Sequence, residues 1–509
     1  MWTYFQNTFQ EIDSILGNTM NASRALLLFS LTALPEPASA QNESTQAGDT
    51  RPNIIYFVCH DLGRMISPYG ARVATPNLQS FAESGMMLMN AYCSSPACTP
   101  SRGCAMTGRY AHKTGLMGVN DSGKPDFWSL APEEKTVVNY LNDAGYMTVH
   151  CGFQHERHFD KLPDNAPNPN GYQVDLSNSW PSCWVENAVD DAVKWMKNRN
   201  PKDPQPFYLN IGTQECHGSV TYGELGQKFG RPKVYGGPDP EDKAWIPEDF
   251  PDNAMTRKML SFFWPCVRYL DREFGRLVRE IDSLGYGRNT IVVFVTDHGI
   301  SGPRHKGRIY DSGTEIASLF RYPGKIPSGQ KSDALIGNVD FCPTILDAAG
   351  VAVPPIVDGR SFWPLLTGGA YTPHAAIFIE RNYHLKYDPM RAVRTADFLY
   401  VRNFQPKARY FYTPGETLKL PEPLCDQWPN SLVEGETPFD DPSMKDWPLR
   451  SREELYDLKK DPSQLTNVAG SPEYASVLKS LAAQLESWMV ETDDVLLQGV
   501  VSHGNGSLK

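Results

Sequence analysis

Asn53-Ile-Ile-Tyr-Phe-Val-Cys59 is a nearly unbroken apolar, β-branched run that stops abruptly at His60-Asp61. Such a run is what a strand buried on both faces looks like. Three further segments repeat the pattern. Tyr146-Met-Thr-Val-His-Cys151 leads into Gly152-Phe-Gln-His155, and Phe207-Tyr-Leu-Asn-Ile211 leads into Thr213-Gln-Glu-Cys-His217. Thr290-Ile-Val-Val-Phe-Val-Thr296 ends at Asp297-His298-Gly299. Between them lie helical patterns. Thr75-Pro-Asn-Leu78 offers an N-cap with proline at the first helical position, and the helix is expected to run toward Gly85. Val185 to Met196 and Arg268 to Leu284 are also periodic. This alternation predicts an α/β fold with a large, mainly parallel sheet and helices on both faces. Ligands of such sheets bind beyond the carboxyl ends of the strands, so the four polar endings are expected to meet in one cleft.

After Gly359-Arg-Ser-Phe-Trp-Pro-Leu-Leu366 the character changes. Residues 370–450 are rich in Pro, Tyr and Arg with short strand-like runs such as Phe398-Leu-Tyr-Val-Arg402, and a helix pattern spans Tyr474 to Val490. The expected division is a leader over 1–40, a main domain over 51–368 and a smaller C-terminal α+β domain over 369–509. Residues 19–41 carry one arginine, an apolar run from Ala25 to Leu34 and Ala38-Ser-Ala before Gln41, the layout of a secretory signal with its cleavage site. Its late position makes Met20 a candidate true start. The compartment expected is secreted, periplasmic or lysosome-like. The apolar run is too short to span a bilayer. The net charge of -11 argues against nonspecific nucleic-acid binding, so a bound anion must find local positive charge. Ten cysteines without a CxxC pair argue against a zinc knuckle. An oxidising compartment would permit disulfides. Asn42-Glu-Ser and Asn120-Asp-Ser fit glycosylation acceptors.

The stretch Ser95-Pro-Ala-Cys-Thr-Pro-Ser-Arg-Gly-Cys-Ala-Met-Thr-Gly-Arg-Tyr110 leaves four readings for Cys98: disulfide partner, thiol nucleophile, metal ligand, or precursor of something else. Thr99-Pro100 reads as a helix start, which puts Cys98 at the anion-favouring helix N-terminus with Arg102 one turn in.

Cys98-Thr-Pro-Ser-Arg102, continuing to Thr107-Gly108-Arg109, matches C-x-P-S-R-x-x-x-x-T-G. On it the chain resembles the type I, formylglycine-dependent sulfatases of the alkaline phosphatase superfamily, over about residues 51 to 490. The stretch Glu454-Leu-Tyr-Asp-Leu-Lys-Lys-Asp-Pro462, followed by Asn467, belongs to that likeness. The resemblance implies an alkaline-phosphatase-like sheet, a short antiparallel sheet in the C-terminal domain, and oxidation of Cys98 to formylglycine by a separate formylglycine-generating enzyme. It implies one divalent metal ion at His60, Asp61, Cys98, Asp297 and His298. Calcium is the expected ion; manganese, magnesium and zinc are weighed because His60 stands where the family usually has Asp, and imidazole suits softer ions. Arg102, His155, His217 and Lys306 match the residues that hold the nucleophile or touch the sulfate. The family's Gly-Lys-x-His has become Gly152-Phe-Gln-His155, so one cation is missing; Arg157 or Lys113 are candidates to replace it, and His112 is expected to line the pocket.

Gln227-Lys-Phe-Gly230, Pro389-Met-Arg-Ala-Val-Arg394 and Trp447-Pro-Leu-Arg-Ser-Arg-Glu-Glu-Leu-Tyr456 resemble the heparan N-sulfatase branch. This implies a sulfated small molecule or glycan as substrate, an N-sulfate or O-sulfate on an amino sugar. A homodimer is compatible with the sequence. The alternatives are a phosphonate monoester or phosphodiester hydrolase of the same superfamily, and an inactive relative that binds sulfated glycans.

Overall fold

The computed structural model describes residues 51–120, 128–157, 168–176, 183–302, 304–384, 387–404 and 451–499. The leader, Met20 and Asn42-Glu-Ser lie outside the described residues, as does 405–450 with the start of the Trp447 stretch. Eight strands form the first sheet: β1 (Asn53–Cys59), β2 (Met86–Tyr92), β3 (Met147–Gly152), β4 (Val174–Asp175), β5 (Phe207–Gly212), β6 (Thr290–Thr296), β7 (Ser318–Arg321) and β8 (Gln330–Gly337). Their order is β4-β3-β5-β1-β6-β7-β2-β8. β7 is antiparallel to β6 and β2, and the other pairings are parallel, which is the mixed, mainly parallel sheet expected.

Alternate residues of β1 enter opposite cores, as a pleated strand covered on both faces requires. Ile55, Phe57 and Cys59 pack with the helices Pro76–Glu83, Val185–Lys197 and Ala254–Ser283. Ile54, Tyr56 and Val58 pack with the helices Val137–Asp143 and Phe341–Ala348. The register is level at the carboxyl edge, with Val58 opposite Gly212, Cys59 opposite Thr296 and Gly152 opposite Gly212. The four polar endings therefore leave the sheet at one edge.

The helix expected from Arg268 begins at Ala254 instead and runs 30 residues to Ser283, with Pro265 inside it. A proline in mid-helix removes one hydrogen bond and reads as a break. Here Asn253 caps the start by accepting from the Thr256 N–H at 2.9 Å, and burial of Leu260, Phe263 and Trp264 outweighs the loss.

A second sheet, wholly antiparallel, has the order β12-β11-β10-β9, from β9 (Ala376–Tyr383), β10 (Tyr387–Thr395), β11 (Phe398–Asn403) and β12 (Glu453–Asp457). One face packs Val393, Tyr400 and Leu455 against Leu481, Leu485 and Trp488 of the helix Ala475–Glu491. The other face packs Ile379, Ala392 and Tyr456 against Ile309 and Tyr310. The chain around Lys306 is thus docked on this sheet. Tyr310 donates to Glu454 at 3.0 Å, Arg308 pairs with Asp388 at 3.0 Å, and Arg394 pairs with Asp311 at 2.9 Å. The Gln464 side chain accepts from the Asp311 N–H at 2.9 Å.

Glu380 on β9 is buried and takes the His112 N–H at 3.1 Å and the His112 ring at 2.9 Å. Burial opposes its ionisation, but His112 and then Arg391 outweigh burial and hold the carboxyl down at about 2. A depressed carboxylate stabilises the fold above its unfolded value of 4.5 and loses that contribution as pH falls toward 2. We expect roughly 3 kcal/mol to disappear across this window from Glu380 alone. Acid unfolding of Glu380→Gln should therefore show lower stability at neutral pH and a shallower decline below pH 5. An unchanged pH profile would refute the assignment.

Among the described residues, nine cysteines are buried and none is in a disulfide. No helix among them is long and apolar enough to cross a membrane.

Candidate active site

Cys98 opens the helix Cys98–Thr107, preceded by Ala97 in extended conformation, so Cys98 stands at a helix N-terminus as expected. The helix is fastened to the sheet from below. The Ser101 hydroxyl donates to the Asp297 carbonyl at 2.5 Å, and the Asn338 amide donates to the Ser101 carbonyl at 2.9 Å. Arg102, one turn in, donates through Nε to Asp297 Oδ2 at 3.1 Å.

The strand endings bring their side chains onto Cys98. Asp61 takes a left-handed backbone with φ 47°, which turns its carboxylate back over the sheet edge. Its N–H donates to Asp297 Oδ1 at 3.0 Å, and its Oδ2 accepts from Ser301 at 2.7 Å and from Lys306 at 3.0 Å. His60 Nδ1 is 2.6 Å from Asp61 Oδ1 and 3.6 Å from Asp297 Oδ2. His298 Nε2 is 3.3 Å from Asp61 Oδ1. His60, Asp61, Asp297 and His298 are all buried, and each offers a ligand atom within 4.8 Å of the others'. His60, Cys98 and His155 form a second such group. Lys306 Nζ is 3.0 Å from His217 Nε2, which brings these two basic residues to the same place.

The close approach of two glycines shapes one wall. A Cβ on Gly212 would lie 1.8 Å from the Phe153 carbonyl oxygen, and Gly152 adopts φ 85°. The Phe153 N–H can then donate to the Gly212 carbonyl at 2.8 Å, and the chain turns Phe153 and His155 into the cleft. The Phe153 ring lies 5.0 Å from the rings of His60 and of His155, with the Arg102 guanidinium carbon 5.1 Å from its centre.

The charges are mutually set. Burial opposes a thiolate at Cys98, yet His155 and Lys306, with His298 close by, hold the thiol well below its usual range. Burial likewise opposes charge on Asp61, and Lys306, His217, His60 and His298 overcome it. Burial would lower His60, but Asp297 and Asp61 raise its imidazole to about 9. His217 goes the other way: burial and the Lys306 cation keep it well below the usual histidine range.

Three secondary expectations are corrected. His112 does not line the cleft: its ring pairs with Glu380 and stacks edge-on to Trp488 at 5.3 Å. Lys113 pairs with Asp358 at 2.7 Å. Arg157 donates to the carbonyls of Leu130, Ala131 and Glu134. Neither candidate takes the place of the missing cation, because both are spent on loops outside the cleft. Sequence reasoning missed Ser301, which holds Asp61, and Asn338, which holds the nucleophile helix. It also missed Arg231, whose bond to Glu215 Oε1 at 2.8 Å steadies the loop that carries His217.

A family model described as "Sulfatase" matches residues 52–351, and one described as "N-sulphoglucosamine sulphohydrolase, C-terminal" matches 299–413. The chain is 26% identical over 484 residues to an ulvan-active sulfatase of Formosa agariphila, covering 87% of this chain and 76% of that protein. It is 26% identical over 468 residues to human N-sulphoglucosamine sulphohydrolase, covering 87% and 90%. Among solved structures, a 2-O GAG sulfatase aligns over 90% of this chain and 98% of its own with TM-score 0.63 and 20% identity. A protein solved in complex with its substrate D-glucosamine-2-N,6-O-disulfate aligns over 87% and 98% with TM-score 0.63 and 19% identity. The nucleophile-helix motif, the converging strand ends and the match over more than half the chain agree: this protein belongs to the sulfatase family of sulfuric ester hydrolases.

Proposed function

We propose that this enzyme removes sulfate from a sulfated amino sugar, as a sulfate ester or sulfamate, with Cys98 converted to formylglycine and one divalent cation held by His60, Asp61, Asp297 and His298. The observation that carries the reading is the convergence of those four buried donors, with Lys306 and His217, on the cysteine at the helix N-terminus. The intact Cys98-Thr-Pro-Ser-Arg102 supports the conversion. The match to the sulphoglucosamine sulphohydrolase C-terminal family supports the amino sugar.

The donors fit a cation. His298 Nε2 is buried without a hydrogen-bond partner 3.3 Å from Asp61 Oδ1, and His60 Nδ1 stands 2.6 Å from the same oxygen. A bound divalent ion supplies Lewis-acid polarisation of sulfuryl oxygen and acidifies the nucleophile. Formylglycine supplies a hydrated aldehyde, whose second hydroxyl can expel sulfate after the first has attacked. The protein's own groups do the rest. Arg102 orients Asp297 and adds positive charge beneath the nucleophile. Lys306, buried and fixed by Asp61, places a cation against the sulfuryl oxygens, where charge grows during transfer. His155 and His217 frame the same position. His217 Nδ1 accepts the Ser219 N–H at 3.1 Å, so the neutral ring carries its proton on Nε2 beside Lys306, and either His217 or Lys306 is placed to protonate the leaving group.

The test measures sulfate release from N-sulfoglucosamine, N-acetylglucosamine 6-sulfate and heparin-derived chains, and phenol release from an aryl phosphonate ester, on one preparation. At least one monosaccharide should exceed the phosphonate by about 10²-fold in kcat/KM. The net charge of -11 offers a polyanion no long-range attraction, so long chains should gain little and salt should matter little. Turnover of the phosphonate alone would overturn the proposal, and a steep salt dependence with long-chain preference would overturn the local cleft.

A further inference from the structure

We infer that the cation site selects a borderline first-row transition ion, of the manganese, iron or zinc class, over calcium or magnesium; this rests on reading His60, Asp61, Asp297 and His298 as the cation centre. Calcium and magnesium prefer oxygen donors, in cages of six to eight or in octahedra that keep several waters. Here half of the converging protein donors are imidazole nitrogens, the chemistry that suits transition ions.

The tautomer of His298 is fixed by its neighbour. Its Nδ1 lies 2.8 Å from the Gly299 carbonyl oxygen, which can only accept, so Nδ1 carries the proton. In the neutral ring Nε2 is then a bare lone pair. That lone pair is buried and unpartnered, 3.3 Å from Asp61 Oδ1 and 3.6 Å from Asp297 Oδ1. Asp61 and Asp297 favour positive charge at this nitrogen, and a cation among the three atoms supplies it by coordination. A carbonyl that orients a ligating histidine through its other nitrogen is the usual support of an imidazole–metal bond.

His60 stands on the other side of the carboxylates, its Nδ1 2.6 Å from Asp61 Oδ1 and 3.6 Å from Asp297 Oδ2. The ring cannot swing away, because the rings of His217 at 4.8 Å and Phe153 at 5.0 Å stand edge-on to it. Two oriented imidazoles and two carboxylates make a compact, nitrogen-rich set, unlike a flexible oxygen cage.

The experiment strips the purified full-length protein of metal and titrates it calorimetrically with manganese, zinc and calcium in turn, for wild type and His60→Asp. Elemental analysis of the protein as purified accompanies it, and pulsed EPR of the manganese form reads nitrogen coupling. We expect one equivalent of manganese or zinc bound at least about tenfold more tightly than calcium, two imidazole nitrogens coupled to manganese, and a ratio moved at least about tenfold toward calcium by His60→Asp. Should His60→Asp not fold, the wild-type ratio and the nitrogen couplings decide. Calcium binding as tight as manganese, or manganese without nitrogen coupling, overturns the inference and leaves the cation centre standing. An unchanged ratio in a folded His60→Asp overturns the role of His60. Absence of binding by every ion, with His298 found doubly protonated against the carboxylates, overturns the centre itself.

Discussion

Cys98→Ala should reduce kcat by at least about 10⁴-fold while the protein stays folded, because losing a nucleophile removes the covalent route rather than one contact. The change is small and buried: Cys98 is 2% exposed at a helix N-terminus whose fastenings run through Ser101, Asn338 and Arg102, not through the sulfur. Cys98→Ser separates the two halves of the proposed chemistry. A serine has one hydroxyl, so attack would leave a sulfate ester with no second hydroxyl to expel it. The expected result is at most one turnover per site and a sulfated serine peptide. Mass measurement of the peptide containing residues 92–102 should show the wild-type thiol replaced by the lighter aldehyde. A fully active preparation with an intact thiol, or a Cys98→Ala enzyme that still turns over, would refute formylglycine as the nucleophile. Persistent multiple turnover by Cys98→Ser would refute the expulsion step.

The parts of this site that could be read from the chain are those where local chemistry and local structure coincide. The doubly buried strands carry apolar residues on both faces, and each stops where polarity begins, so Asp61, His155, His217 and Asp297 stood at strand ends before any geometry was known. The nucleophile helix was legible for the same reason, with Pro100 and Cys98 falling where a helix start and an anion site overlap. What could not be read depended on direction or on partners far along the chain. His112 lies a few residues beyond the motif, but the turn Ala111–Thr114 carries it toward Glu380 of the second sheet. Ser301 and Asn338 are ordinary polar residues until the fold places them against Asp61 and Ser101. Pro265 disguised half of the longest helix, because its compensation is tertiary.

The Glu454-Leu-Tyr-Asp stretch shows how such a remote segment bears on the chemistry, and it leads to the second large effect. Glu454 receives the Tyr310 hydroxyl, Asp388 pairs with Arg308, and Gln464 takes the Asp311 N–H and the Arg304 guanidinium, so the loop is gripped on both sides of Lys306. The loop is also held from within, where the Lys306 N–H donates to the Ile300 carbonyl at 3.1 Å and the Gly307 N–H to the Pro96 carbonyl at 2.6 Å. Lys306 is 1% exposed, so its ammonium acts in a dry, prearranged setting where a cation does far more than in water. Lys306→Ala should cost about 3 kcal/mol of transition-state stabilisation, a fall of roughly 10²-fold in kcat/KM. The loss should appear in kcat more than in KM, since the charge that Lys306 meets is larger in the transition state than in bound substrate. Asp61 keeps the Ser301 hydroxyl and its other partners in this variant, so the cation affinity measured by calorimetry should survive while turnover does not. Steady-state kinetics on the best monosaccharide sulfate, with metal content determined on the same samples, make the comparison. A KM rise with kcat unchanged would reduce Lys306 to a ground-state binding residue. Loss of the bound ion together with turnover would recast it as part of the cation site.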